Sequence, residues 1–305
     1  MKNLKNENLK GFTGPTKLPT SQDEARGWQE QNYRWWQNNP MRYDWEDKVA
    51  PPEFSKEFYE EINKRFFCNA AEYLAGDGNP FFELIDRTFV KDKDVLEIGV
   101  GNGSHAQLLA ASAKSFAGID LTDYAVKSTT ERLKIFNLNG SIQKMDAEKM
   151  TFPDKSFDYV WSWGVIHHSS STEQVLREIK RVLRPGGRAI IMVYHRGWWN
   201  YYITVFVRSL FRGELFKRSI AENIQLYTDG ALARYYTPAE WRRLCGKMFE
   251  IEKIEVMGPK SDVVLLPSGR LKNLFAKLIP DSVNRFFTRR LSMGTFLVSH
   301  LNVPN

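Results

Sequence analysis

Asp94-Val95-Leu96-Glu97-Ile98-Gly99-Val100-Gly101-Asn102-Gly103-Ser104-His105 decides how the rest of the chain is read. An apolar run of strand length ends in an acid and breaks into three alternating glycines, and a helical pattern follows from about His105 to Lys114. Glycines at alternate positions let a strand turn sharply with its backbone N–H groups bare, so a ligand can press against the main chain. That geometry suits a nucleoside-bearing cofactor over the carboxyl end of a parallel strand. The dinucleotide pattern Gly-x-Gly-x-x-Gly fits poorly. Gly99 and Gly101 match its first two positions, but the third falls on Ser104, and Gly103 has no place in it.

Three further stretches follow in order. Gly118-Ile119-Asp120-Leu121 is a second strand ending in an acid, where a carboxylate can accept both hydrogen bonds of a ribose diol. Met145-Asp146-Ala147 precedes a strand that opens Ser156-Phe157-Asp158 and continues to Trp163-Gly164-Val165-Ile166-His167-His168. A helix from about Ser171 to Leu183 shows Val175, Ile179, Val182 and Leu183 at helical spacing. Arg184-Pro185-Gly186-Gly187 stops it before the buried strand Arg188–Tyr194. With its Glu-x-Gly-x-Gly-x-Gly, Asp-Ala and Leu-Arg-Pro-Gly-Gly motifs, the stretch from about Lys93 to His195 resembles the class I S-adenosylmethionine-dependent methyltransferases. The resemblance implies an α/β Rossmann-like fold: a mostly parallel sheet with an antiparallel last strand. It implies S-adenosylmethionine as cofactor, with Asp146 accepting from the adenine amino group and the Ala147 backbone facing the ring. Glu97, Gly99, Gly101, Asn102, Gly103, Asp120, Leu121, Trp163 and Gly164 complete the expected cofactor site; no metal is expected.

A chain of 305 residues accommodates one large α/β domain with additions or two small domains, and 42% apolar residues support a core. Cys68 and Cys245 are isolated, so neither a disulfide framework nor a zinc site is suggested. No run of 18 apolar residues exists, and Met1–Thr20 has no apolar core. The expected location is the cytoplasm. The formal charge of +7 is unevenly spread. From Arg196 to Met293 there are 17 Lys and Arg against 9 Asp and Glu, and the remainder is nearly balanced. Such a bias serves nucleic acid, an anionic membrane surface or an acidic substrate, or is simply a solvated basic face.

The expected organisation is a flexible polar tail (1–27), an aromatic helical extension (28–90), the cofactor-binding core (91–195), a lid insertion (196–236), and a carboxyl-terminal part (237–305) interrupted by a basic insertion (258–293). Trp28, Tyr33, Trp35, Trp36, Tyr43 and Trp45 crowd the extension and are too apolar to remain in water. They are expected to pack onto the main domain, in reach of the cofactor mouth. Thr237-Pro238-Ala239-Glu240 is a capping box with Pro at the first helical position. Ile251–Val256 and Thr295–His300 read as strands forming an antiparallel edge hairpin, with a basic amphipathic helix around Leu271–Ile279 between them.

Methyl transfer from a sulfonium is an in-line displacement, so the protein mainly aligns the acceptor and excludes water. A base is required only where the attacking atom starts out protonated. His167 and His168 end the fourth strand, where class I enzymes present residues to the methyl group, and their titration range suits a base. Tyr194, His195 and the lid tyrosines are further candidates. There is no Asn/Asp-Pro-Pro-Tyr tetrad, no Pro-Cys pair of the cytosine-C5 type, and no RNA-binding motif of recognised type. These omissions point to a small-molecule or lipid acceptor. An RNA or tRNA modifier using the basic carboxyl-terminal half as a phosphate track is the alternative. Read as a helix, Trp198–Phe211 is apolar nearly all round. Three readings stay open for it: burial, an acceptor-binding lid overhanging the sheet, or peripheral membrane contact with Arg208, Arg212, Lys217 and Arg218 at the headgroups. The oligomeric state is not legible.

Overall fold

In the first strand, β1 (Asp94–Ile98), successive side chains point to opposite faces, and both faces are buried. Val95 joins one core cluster and Leu96 the other. The same alternation separates Val160 from Trp161, Ile190 from Ile191 and Leu297 from Val298. The sheet is therefore sandwiched between two apolar layers. The computed structural model describes residues 14–44, 47–214, 217–266 and 269–305.

The remaining strands are β2 (Ser115–Asp120), β3 (Ser141–Lys144), β4 (Phe157–Trp163), β5 (Leu183–His195), the two-residue β6 (Tyr235–Tyr236), β7 (Glu250–Met257) and β8 (Phe296–Asn302). Their spatial order is β3-β2-β1-β4-β5-β8-β7, with β6 alongside the end of β5. The pairs from β3 to β5 are parallel, and β8 runs antiparallel to both β5 and β7. The last strand thus lies inside the sheet and β7 forms the edge, a detail the hairpin expectation left open. Chain order reverses between β1 and β4, so their carboxyl ends diverge and open a crevice, the usual ligand position in such sheets.

Helices cover both faces. They are α1 (Gln22–Asn38), α2 (Lys56–Ala71), α3 (Arg87–Val90), α4 (Ser104–Ala110), α5 (Asp123–Ile135), α6 (Thr172–Val182), α7 (Val205–Phe211), α8 (Ile220–Gln225), α9 (Pro238–Cys245), α10 (Arg270–Leu278) and α11 (Asp281–Arg285). α6 turns Val175, Leu176, Ile179 and Val182 into the sheet, and Trp241 of α9 is buried in the same layer. The capping box of α9 forms: Thr237 accepts from the Glu240 N–H while Glu240 reaches back to the Thr237 N–H. The Arg-Pro-Gly-Gly stop is absorbed as a bulge, because β4–β5 pairing jumps from Phe157↔Leu183 to Tyr159↔Arg188.

One expected boundary is corrected. The sequence places the polar tail at 1–27, but α1 begins at Gln22. Ser21 caps it by accepting from the Glu24 N–H, and Asp23 and Glu24 occupy the first turn, where acids suit the helix dipole. Buried Asn32 and Trp35 anchor it to the body. Residues 1–13 of that tail, and Trp45 of the aromatic cluster, lie outside the described residues.

Trp241→Ala should empty a large volume in the layer beneath α9 and cost about 3–5 kcal/mol. Urea unfolding followed by circular dichroism measures it, and a loss below about 1 kcal/mol would show that the layer does not depend on this ring.

Candidate functional site

The loop after β1 is held from beneath by α5, chiefly by Arg132. Arg132 of α5 is fully buried, and its guanidinium donates to the Asn102 carbonyl at 2.7 Å, Ser104 Oγ at 3.2 Å and Gln107 Oε1 at 3.0 Å, as well as to Asn63 Oδ1. Ser128 donates to Asn102 Oδ1 at 2.9 Å, and Thr129 to the Gly101 carbonyl at 3.1 Å. With these carbonyls tied back into α5, the opposite side of the loop is presented to the crevice. Gly101 has φ +53°, and a Cβ built there would project into open space, which marks it as the floor of a cavity. At Gly99 a Cβ would overlap the Val165 side chain, so β1 can approach the β4 loop only with glycine there.

That cavity has a volume of about 330 Å³. Asp120, at the end of β2, lines it; its carboxylate accepts from the Gly101 N–H at 3.2 Å and from the Thr122 N–H and hydroxyl at 2.9 and 2.8 Å. Burial raises the Asp120 carboxyl above its ordinary value, and these three hydrogen bonds oppose the shift. Asp146 lies on the wall with Ala147; it accepts from Gln29 of α1 at 2.9 Å and from the Glu148 N–H at 2.9 Å.

Of the residues expected at the cofactor, Gly99, Gly101, Asn102, Gly103, Asp120, Leu121, Asp146, Ala147, Trp163 and Gly164 line the cavity. Glu97 does not. It sits behind the loop, 2% exposed, with His105 Nδ1 3.8 Å from its carboxylate. Burial, joined by the nearby charge of Asp120, pushes the Glu97 carboxyl well above the usual range, and Arg132 pulls the other way. The acid precedes the glycines on the strand, so its side chain points into the layer under α4 rather than out of the strand end.

The histidine pair divides. His168 lines the cavity, whereas His167 is fully buried and lies off the wall. The His167 ring packs against His168 and Tyr194, with centroids 4.2 and 4.0 Å away, and burial holds it well below its ordinary value. His168 Nδ1 is 2.7 Å from the Leu232 carbonyl, which can only accept, so Nδ1 is the donor in that contact. A Cβ at Gly230 would collide with that imidazole, so glycine allows the main chain to lie against it. Asn32 donates to the His168 carbonyl, and Trp36 meets the ring edge-on at 5.2 Å. Tyr194 also faces the cavity. Burial, with Asp229 nearby, keeps its phenol protonated and therefore a donor. His195 turns away, its Nδ1 donating to the Gly294 carbonyl at 2.8 Å.

Sequence reasoning missed part of the wall. Gln29, Asn32, Tyr73 and Phe296 belong to it, beside Trp36 and Tyr43 of the extension expected in reach of the cofactor mouth. The aromatic crowding between Trp28 and Trp45 was the available signal. The lid expectation for Trp198–Phe211 is corrected. Among the described residues of the insertion after β5, Asp229 lines the cavity, while the apolar run packs one side against Tyr235 and turns the other outward. The chain reaches the site along Asp229–Tyr236, where β6 pairing with β5 holds it.

Residues 96–191 match the family model described as a methyltransferase domain. The chain carries a class I S-adenosylmethionine-dependent methyltransferase domain. It is 34% identical over 97 residues to 27-O-demethylrifamycin SV methyltransferase of Amycolatopsis mediterranei, covering 31% of this chain and 36% of that protein. Over 102 residues it is 36% identical to the tRNA U34 carboxymethyltransferase of Methylococcus capsulatus, covering 32% of this chain and 31% of that one. The match thus spans about a third of each relative. A crystal structure of an S-adenosylmethionine-dependent methyltransferase from Methanosarcina mazei shares the fold with a TM-score of 0.50 at 18% identity, covering 72% of this chain and 97% of that one. The cofactor the domain implies is S-adenosylmethionine, and the residues fit it. Gly101 leaves open floor for a ligand, Asp120 presents a carboxylate for a ribose diol, and Asp146 presents one for an amino group.

Asp120→Ala should weaken S-adenosylmethionine binding by about 2–3 kcal/mol, since charge-assisted hydrogen bonds are the strong ones. Calorimetry on the purified protein measures this, and unchanged affinity would remove Asp120 from the binding site.

His105 offers a pH test. Burial, then the charge of Arg132, pushes its imidazole down to about 3. Unfolded, it protonates near its ordinary value of about 6.5. The stability it contributes is complete above about pH 6.5 and is lost as pH falls towards about 3, because only the unfolded chain takes up the proton there. His105→Phe should flatten the fall in unfolding midpoint between pH 6.5 and 4 measured by thermal melts; a slope as steep as wild type would contradict this.

Proposed function

We propose that the protein is a methyltransferase whose acceptor is a small, apolar or lipophilic metabolite. The observation that carries this is a single continuous cavity. Its wall includes both the glycine loop with Asp120 and Asp146 and an aromatic set, Trp36, Tyr43, Tyr73, Tyr194 and Phe296. Apolar and aromatic walls with a few polar groups are the usual form of a small-molecule site. The two relatives bear names with unlike acceptors, a rifamycin and a tRNA uridine. Their shared segment therefore speaks for the cofactor, and the acceptor reading rests on the walls. Free Cys68 and Cys245 are consistent with a reducing, cytoplasmic setting.

S-adenosylmethionine, when bound, supplies a methyl group already activated by a positive sulfur. The chain's own residues then have three tasks. Asp120, Asp146 and the loop at Gly99–Gly103 hold the cofactor. The aromatic wall, closed on one side by α1, orients the acceptor and keeps water out. In this reading His168 takes the proton that an O–H or N–H acceptor gives up, supported by its position on the cavity wall and by the Nδ1 contact with the Leu232 carbonyl.

For such an acceptor, His168→Ala should lower kcat by roughly 10²–10⁴-fold with S-adenosylmethionine affinity nearly intact, and His167→Ala should act chiefly on stability. Steady-state rates across pH 6 to 9 with parallel calorimetry separate the two. Equal kcat in wild type and His168→Ala would leave alignment as the whole mechanism. The acceptor class is tested by incubating the protein with methyl-labelled S-adenosylmethionine, an organic metabolite extract and total RNA. Label in extractable small molecules is expected; label confined to RNA would overturn the acceptor reading, and tight NADH binding in place of S-adenosylmethionine would overturn the cofactor.

A further inference from the structure

Helix α10 is amphipathic with its faces reversed. Leu271, Leu274, Phe275 and Leu278 recur at helical spacing and are all exposed, Leu278 by 71%, while Lys272 and Ala276 are buried. The Lys272 ammonium sits near buried Asp262 and Arg208. An ordinary surface helix turns such a stripe towards the core; this one presents it outward.

The neighbouring apolar run behaves alike. Tyr201, Val205 and Ser209 face inward, while Tyr202, Phe206, Leu210 and Phe211 are exposed, Phe211 by 83%. The two segments are neighbours, with Arg208 of α7 near Lys272 of α10. Trp198 Nε1 donates to the Leu291 carbonyl at 2.8 Å, Trp199 Nε1 to the Asp262 carbonyl at 2.8 Å, and Asn200 to the Met293 carbonyl. Val283, Phe286 and Leu291 extend the exposed surface beyond α11. Large exposed apolar patches mark binding surfaces.

The surrounding charge is predominantly positive; the acid nearest α7, Glu214, accepts from the Tyr227 hydroxyl that Arg212 also contacts. Arg212, Arg270, Lys277 and Arg290 are exposed around the patch. Trp198–Gly213 contains no acid, and the one acid between Gly269 and Leu291, Asp281, is paired with Lys260 at 2.6 Å. We propose that this face docks on the surface of an anionic phospholipid bilayer. The leucines and phenylalanines of α7 and α10 enter the acyl boundary, and the four exposed cations meet headgroup phosphates. A twofold self-contact would set the same cations against one another, whereas the bilayer offers them opposite charge. No helix among the described residues is long and apolar enough to cross a membrane, so the face lies on it. The inner side of the same segment is firmly anchored: Asn284 donates to the Glu72 carbonyl at 2.9 Å, and Arg289 to the carbonyl of cavity-lining Tyr73. The docking proposal stands apart from the acceptor reading.

Co-sedimentation of the full chain with vesicles tests it, using phosphatidylcholine alone and phosphatidylcholine doped with phosphatidylglycerol. Binding should require the anionic lipid and weaken as salt is raised. The double variant Leu274→Glu/Phe275→Glu, and separately Arg270→Glu/Lys277→Glu, should each cut vesicle affinity by about tenfold or more, with melting temperature and S-adenosylmethionine affinity unchanged. Equal binding to both vesicle types, or none to either, overturns the proposal. So does a concentration-dependent dimer in sedimentation velocity that Leu274→Glu/Phe275→Glu abolishes without any vesicle binding, which would make a second copy the occupant.

Discussion

A buried guanidinium holding the glycine loop is the constraint on which the site depends. A loop with glycines at 99, 101 and 103 has little side-chain packing of its own, and its freedom would cost any ligand the entropy of ordering it. Arg132 removes that freedom from below, together with Ser128 and Thr129 of the same helix. Burial pulls the guanidinium below its ordinary value, countered by Tyr59 and Glu97, and five donors satisfied on several sides make the buried charge tolerable. α5 thereby links β2, which carries Asp120, to the loop after β1.

Around this clamp the charges are arranged so that few face the cavity uncompensated. Glu97 is pushed towards its neutral form, and His105 is neutral and surrounded by rings, with Phe81 at 4.4 Å and Trp161 at 5.0 Å. The layer under α4 is in effect an aromatic block, including stacked Trp161 and Trp163 at 5.6 Å. A stiff block beneath a mobile type of loop keeps the cofactor end preformed. The rest of the wall is built differently: α1 supplies Gln29, Asn32 and Trp36, and Tyr43, Tyr73, Tyr194 and Phe296 come from segments far apart in the chain.

The two insertions contribute little to the cavity wall. Their inner sides tie to Tyr73, Asp262 and Met293, and their outer sides carry apolar side chains within a cationic surround. The basic excess counted between Arg196 and Met293 thus has a location as well as a sign.

The cofactor end was legible in the sequence because its parts are local. A strand that ends in alternating glycines, and acids at the ends of the next strands, are short patterns whose chemistry follows from backbone geometry, and Asp120, Asp146 and the three glycines do line one cavity. Helix α9 was legible for the same reason, since its capping box closes within four residues. What lies between distant segments was not. Whether Glu97 faces ligand or core depends on the side to which a strand residue points; which histidine of the pair reaches the cavity depends on Leu232 and Gly230, more than sixty residues away. Nothing in the sequence singles out Arg132, and Trp198–Phe211 leaves burial, a lid and membrane contact all open. The number and position of the chain's other layers decided both, because a side chain's burial is a property of what packs against it.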